Sequence, residues 1–101
     1  MAESKFQHDL IKKLEKIFPK CIILKNDPSY IQGIPDLLIL WKDKWASLEC
    51  KDDISKMNSS SASLHNQKYY VGIMNRMSFS RFVYPQNEEE VLNELQQAFR
   101  S

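Results

Sequence analysis

Three charged residues sit where two apolar runs converge in the segment GIPDLLILWKDKWASLECK, residues 33–51: Asp36 at the mouth of the first run, Glu49 and Lys51 at the end of the second. Side chains along a strand alternate between faces, so Ser47, Glu49 and Lys51 project to one side and Leu48 and Cys50 to the other. The runs LLILW (37–41) and WASLECK (45–51) are separated by the polar turn KDK (42–44). If they pair as a hairpin, the start of the first lies beside the end of the second, and Asp36 meets Glu49. Two carboxylates in a partly buried place repel unless something positive lies between them, and oxygen donors so arranged suit a hard cation, Mg²⁺ or Mn²⁺. Such an ion keeps several waters, one of which can be polarised and aimed at a phosphate. Lys51 would orient or help deprotonate that water and offset negative charge developing on the phosphorus oxygens.

Around this segment the chain reads as seven elements. Residues 3–18 carry Phe6, Leu10, Leu14 and Ile17 at helical spacing, with Ile11 and Phe18 beside them and Lys12, Lys13 and Lys16 opposite; Pro19 ends the helix, and Glu3 lies on its apolar stripe. CIILKN (21–26) predicts a first strand and NDPSYIQG (26–33) a loop. The nearly continuous LLILW predicts a strand covered on both faces. DDISKMNSSSAS (52–63) is polar, serine-rich and aperiodic, a mobile loop directly after the charged strand end. Leu64, Val71 and Met74, with Gln67 and Tyr70 alongside, predict a helix to about residue 76, capped by Ser63. SFSRFVYP (78–85) predicts a fourth strand, stopped by Pro85. Asn87 followed by Glu88, Glu89 and Glu90 predicts a helix start with a cap and a capping box, and Val91, Leu92, Leu95 and Phe99 supply the buried stripe. The order α-β-β-β-α-β-α is that of one α/β domain, a sheet with helices packed on it.

Composition narrows the alternatives. The 101 residues suffice for one small core and not two, and only two glycines and four prolines among them argue for an ordinary globular chain. The longest apolar stretch, Ile34 to Trp41, is interrupted by Pro35 and Asp36, so no membrane span is expected. MAESKFQHDL has no apolar leader core, which makes an intracellular location the expectation, with Cys21 and Cys50 as reduced thiols and neither zinc site nor disulfide. A net charge of +1 neither demands nor excludes nucleic acid; a polyanion binder of this balance needs a local basic face, or a dimer that doubles one.

Gly33-x-Pro35-Asp36, twelve intervening residues, then Glu49-Cys50-Lys51 resembles the signature of the PD-(D/E)xK nuclease superfamily. The element order is similar to that family's core across nearly the whole chain. Within the superfamily the pattern is most similar to the small stand-alone VRR-NUC and Holliday-junction-resolvase-like nucleases, since Glu3 lies at the start of the first helix and Gln67 on the helix after Glu-x-Lys. The resemblance implies a restriction-endonuclease-like αβββαβ core with a central mixed sheet flanked by helices. It implies that Asp36, Glu49 and the backbone carbonyl of Cys50 bind Mg²⁺ or Mn²⁺, that Glu3 binds the metal directly or through water, that Lys51 is the catalytic lysine, and that Gln67 steadies the site or the scissile phosphate. It further implies a DNA substrate, branched (a four-way junction) or duplex, and a homodimer whose paired sites suit paired cuts. The alternatives are a restriction- or repair-type nicking endonuclease on plain duplex, and a catalytically idle nucleic-acid-binding subunit.

Plainer readings compete at each position. Pro-Asp is common in turns, and Glu-x-Lys is common on the solvated face of an edge strand; the convergence of Asp36 on the other two decides against both. Glu3 is also explained by the helix dipole, and Gln67 by an ordinary helix surface. His8 and Asp9 are neighbours on a helix and face different ways, whereas His65, beside the serine loop, is a candidate for phosphate contact. Lys12, Lys13 and Lys16 read as a solvated face; Lys20, Lys25, Lys56 and Lys68 are expected to line a groove near the site. Trp41, Trp45, Tyr69 and Tyr70 read as core or interface. With no base-reading module, recognition of nucleic-acid shape and backbone is expected.

Overall fold

Apolar alternation in the middle of the chain builds a sheet of four strands, β1 (Ile22–Lys25), β2 (Leu37–Trp41), β3 (Lys44–Cys50) and β4 (Phe79–Val83), side by side in that order. The computed structural model describes residues 3–101, the side chain of Glu3 excepted. β1 pairs antiparallel with β2, and β2 with β3, through the two-residue turn at Lys42 and Asp43. β4 returns parallel to β3 after a crossover, so the sheet is mixed. Three helices flank it: α1 (Glu3–Ile17), α2 (Ala62–Met77), which forms the crossover, and α3 (Glu88–Arg100). The protein is therefore an α/β fold with a central mixed open sheet flanked by helices, and among the described residues no helix is long and apolar enough to cross a membrane.

Strand parity assigns each face its partner. Leu37, Ile39 and Trp41 of β2, Ala46, Leu48 and Cys50 of β3, and Phe79 and Val83 of β4 pack with Phe6, Leu10, Leu14 and Phe18 of the α1 segment and Val91, Leu92, Leu95 and Phe99 of α3. At one end of this core the rings of Phe18, Trp41 and Phe99 lie 5.0 to 6.0 Å apart, and the Trp41 indole donates to the Pro19 carbonyl at 3.0 Å. Such a cluster combines large apolar area with favourable ring geometry and satisfies the one polar group it carries. On the other face α2 lies across β3 and β4. There Ser47 and Ser80 are both buried and the Ser47 hydroxyl donates to Ser80 at 2.7 Å, as a polar pair between two packed layers must.

Four sequence expectations need correction. β2 is not covered on both faces: Leu38 and Leu40, which point away from the core, are only half-buried because α2 sits over β3 and β4. Residues 52–63 do not form an unstructured loop. A 3₁₀ helix spans Ile54–Asn58, its first turn closed by the Asp53 carboxylate accepting from the Ser55 N–H at 2.9 Å. Gln86 pins it, donating to Asp53 at 2.7 Å and accepting from the Ile54 N–H at 3.1 Å, and together these donors hold the Asp53 acid down to about 2. Ser61, not Ser63, caps α2, accepting from the Leu64 N–H at 3.1 Å. Asn87 does stand before α3, yet its amide turns back to β4, accepting from the Tyr84 N–H at 2.8 Å and donating to the Phe82 carbonyl at 3.0 Å, so no capping box forms.

Truncating one member of the aromatic cluster tests this core. Phe99→Ala should lower stability by about 3–4 kcal/mol, read as a fall in the urea midpoint at unchanged m-value.

Candidate active site

Register carries the charged residues together. Leu37 lies opposite Leu48, so Asp36 falls opposite Glu49 and Pro35 opposite Cys50. Proline has no N–H for a ladder bond, and the pairing gives way there to side chains. The Cys50 N–H donates to Asp36 Oδ2 at 2.9 Å, and in return the Asp36 N–H donates to Glu49 Oε1 at 3.2 Å. The Asp36 carbonyl accepts from the Asn26 N–H at 2.8 Å, and the Pro35 carbonyl from the Asn26 side chain at 2.8 Å, which fixes the proline–aspartate against the end of β1. Since the Lys51 N–H is bonded to Val83 of β4, alternation turns both backbone groups of Cys50 toward β2 and Asp36.

Glu49 and Lys51 share the α2-facing side of β3, as their parity predicts, and Glu49 is only 2% exposed. The Lys51 ammonium stands 3.8 Å from Glu49 Oε2 and donates to Gln67 Oε1 of α2 at 2.6 Å. Gln67 is thus in contact with the site and not on a solvated helix surface. The Asp36 N–H bond to Glu49 brings the two acids together at the strand ends. Burial pushes the Asp36 acid above the usual range, against the Cys50 N–H and the Lys51 ammonium, which pull it down.

A cleft of about 350 Å³ opens over these groups, bounded by Pro28, Gln32, Gly33 and Ile34 of the loop before Asp36 and by Ala62, Ser63, Asn66 and Gln67 of α2. Its walls meet at Gly33, whose φ of 91° belongs to glycine and whose missing side chain leaves room for α2: a Cβ there would fall 2.7 Å from Asn66 Cβ and 2.8 Å from the Asn66 carbonyl carbon. Asn66 and Gln32 went unread in the sequence, and Ser63 reads there only as a helix cap. Only their distance from one another along the chain hid them, since each is an ordinary polar residue until the crossover brings α2 over the loop. The expected lysines and His65 do not line this cleft; Lys56 lies instead 3.9 Å from Asp52.

Mg²⁺ or Mn²⁺ fits the donors that are present. Two adjoining carboxylates, one with its proton affinity raised by burial, and a backbone carbonyl on the same side make an all-oxygen set for a small hard ion that keeps waters. Among the described residues no third histidine, cysteine or acidic side chain joins the pair. The Glu3 side chain, the other expected ligand, lies outside the described residues. Compared with models of known families, with curated proteins and with solved structures, the chain matches none.

Two substitutions test the construction. Gly33→Ala should lose about 2–4 kcal/mol, from left-handed backbone strain and contact with the α2 backbone together, read by urea unfolding. Asp36→Asn should raise the melting temperature at pH 7 while keeping the Cys50 hydrogen bond. An acid whose folded-state pKa lies above its ordinary 3.8 stabilises the fold fully below that value and loses this contribution as pH rises through the folded-state pKa, so the variant's advantage should vanish as pH falls to about 3.

Proposed function

We propose that the chain is an intracellular, metal-dependent DNA endonuclease that hydrolyses phosphodiester bonds, with branched or junction DNA as its preferred substrate and plain duplex as the alternative. The observation that carries this reading is the mutual hydrogen bonding of Asp36 and the Glu49–Cys50 strand end, with Lys51 held beside them by Gln67. Carboxylates brought together at strand ends, beside a lysine and at the floor of an open cleft, are poorly explained by stability, because burying like charges costs free energy. They are well explained by a cation and a phosphate.

Asp36, Glu49 and the Cys50 carbonyl would hold the ion, which when bound supplies Lewis-acid activation of water and charge neutralisation at the phosphate. Within that frame Lys51 acts on the water: its ammonium is directed by Gln67 Oε1 at 2.6 Å and leaves two N–H bonds to orient a nucleophile and meet an oxygen of the phosphate. Gln67 is a positioning residue, acting through Lys51. The loop at Pro28–Ile34 and the first turns of α2 would flank the substrate backbone, with Ser63 and Asn66 as neutral donors to phosphate oxygens.

Cleavage of labelled four-way junction, flap, duplex and single strand, each with Mg²⁺, Mn²⁺ or EDTA, tests the reading. Cutting should need the metal and should fall by about 10²–10³-fold or more in Lys51→Met and Glu49→Gln, and by about 10–100-fold in Gln67→Ala. Cutting that survives in Lys51→Met at equal purity, or no cutting of any substrate with either metal, would overturn it.

A further inference from the structure

β1 is an edge strand of the sheet, with no further strand beside it among the described residues, and its surface is apolar. Of the six large apolar side chains that stand exposed among the described residues, two lie on this short strand: Ile22 at 58% and Leu24 at 45%. Protected edges carry prolines, bulges or inward charges; β1 is four regular residues, IILK, with a single lysine at its end. Ile22 and Leu24 pair with Leu40 and Leu38, so they share the sheet face that α2 leaves uncovered.

The backbone specifies how this edge can be completed. Asn26 donates inward to Asp36, and alternation then turns the ladder groups of Leu24 and Ile22 toward β2 as well, leaving those of Ile23 and Lys25 directed outward. We infer that two copies of the chain pair β1 to β1 about a twofold axis through Ile23, joining the two sheets into one of eight strands. In that register Ile23 exchanges both backbone hydrogen bonds with Ile23 of the second copy, and Lys25 donates to Cys21. Ile22 falls opposite Leu24 of the second copy in the close, non-hydrogen-bonded position, so the four exposed aliphatic side chains cover one another. Charge agrees with the fit: Lys25 meets no lysine, and Lys20 of each copy comes to the Asn26–Asp27 end of the other. A one-residue shift would set the outward ladder groups of Ile23 against the inward ones of Leu24, and a two-residue shift to Leu24 on Leu24 would leave Ile22 against Asn26, so the pattern favours one pairing.

The axis stands perpendicular to the sheet, so both clefts open on the same face. Pairing also steadies the strand end that holds Pro35 and Asp36 through Asn26. The inference is independent of the nuclease reading, since dimerisation is measured without substrate.

Sedimentation velocity at about 100 µM should give a species of twice the 11.9 kDa chain mass. The double variant Ile22→Glu/Leu24→Glu and the double variant Ile22→Lys/Leu24→Lys should each sediment as folded monomers, and mixing them should give a one-to-one heterodimer. In the native chain, hydrogen exchange at the Ile23 and Lys25 amides should slow as concentration rises, with Leu24 unchanged. A native chain that stays monomeric, a dimer that survives the acidic substitutions, or exchange at Ile23 and Lys25 that ignores concentration would overturn the inference.

Discussion

Where β2 begins and β3 ends, each strand lends the other a carboxylate: Asp36 accepts from the Cys50 N–H and Glu49 accepts from the Asp36 N–H. The exchange is forced by Pro35, which faces Cys50 in the register and has no N–H to continue the ladder. The two acids are therefore staples of the hairpin before they are anything else. Each has an oxygen committed to backbone, which sets its rotamer and leaves the rest of the carboxylate aimed at a defined point. Asn26 closes the arrangement from the β1 side, and the glycine at position 33 lets α2 come down close enough for Gln67 to reach Lys51.

Such a lock carries an electrostatic cost. Glu49 is buried, Asp36 is partly so, and the Lys51 ammonium stands 3.8 Å from Glu49 while its shorter bond goes to Gln67. A lysine recruited for stability would sit between the two acids; here a neutral amide draws it to one side. The result shows in Asp36: burial raises its acid against the pull of the Cys50 N–H and the Lys51 ammonium. Strain of this electrostatic kind is commonly kept at functional sites and tolerated because the surrounding core is well packed.

Much of this was legible in the residues, because period-two alternation and antiparallel register are local rules. They placed Glu49 with Lys51 and set Asp36 across from Glu49. What could not be read depends on pairs far apart in sequence. Asp53 and Gln86 are 33 residues apart, and their hydrogen bond turns a serine-rich loop into a pinned 3₁₀ helix. Ser61 and Ser63 are equally good caps by composition, and it is the Ser61 hydroxyl that accepts from the Leu64 N–H. Asn87 offered a textual cap signal, yet the β4–α3 turn needed its amide more. The cover on β2 was overestimated because an apolar run does not disclose which half of a sheet the crossover helix will sit on.

The crossover carries a consequence for the order in which the protein assembles. Asp36, Glu49 and Lys51 lie within one hairpin, closed by a two-residue turn, and a short loop costs little entropy to close. Gln67 and one wall of the cleft arrive on α2, whose seat requires β4 to be laid parallel to β3, a non-local pairing that comes later along any path dominated by loop closure. A nascent or partly unfolded chain can thus bring the acidic pair together before the glutamine that disciplines Lys51 is in place. Completion of the site is tied to completion of the fold, so the last topological event in folding is also the one that fixes the lysine in place.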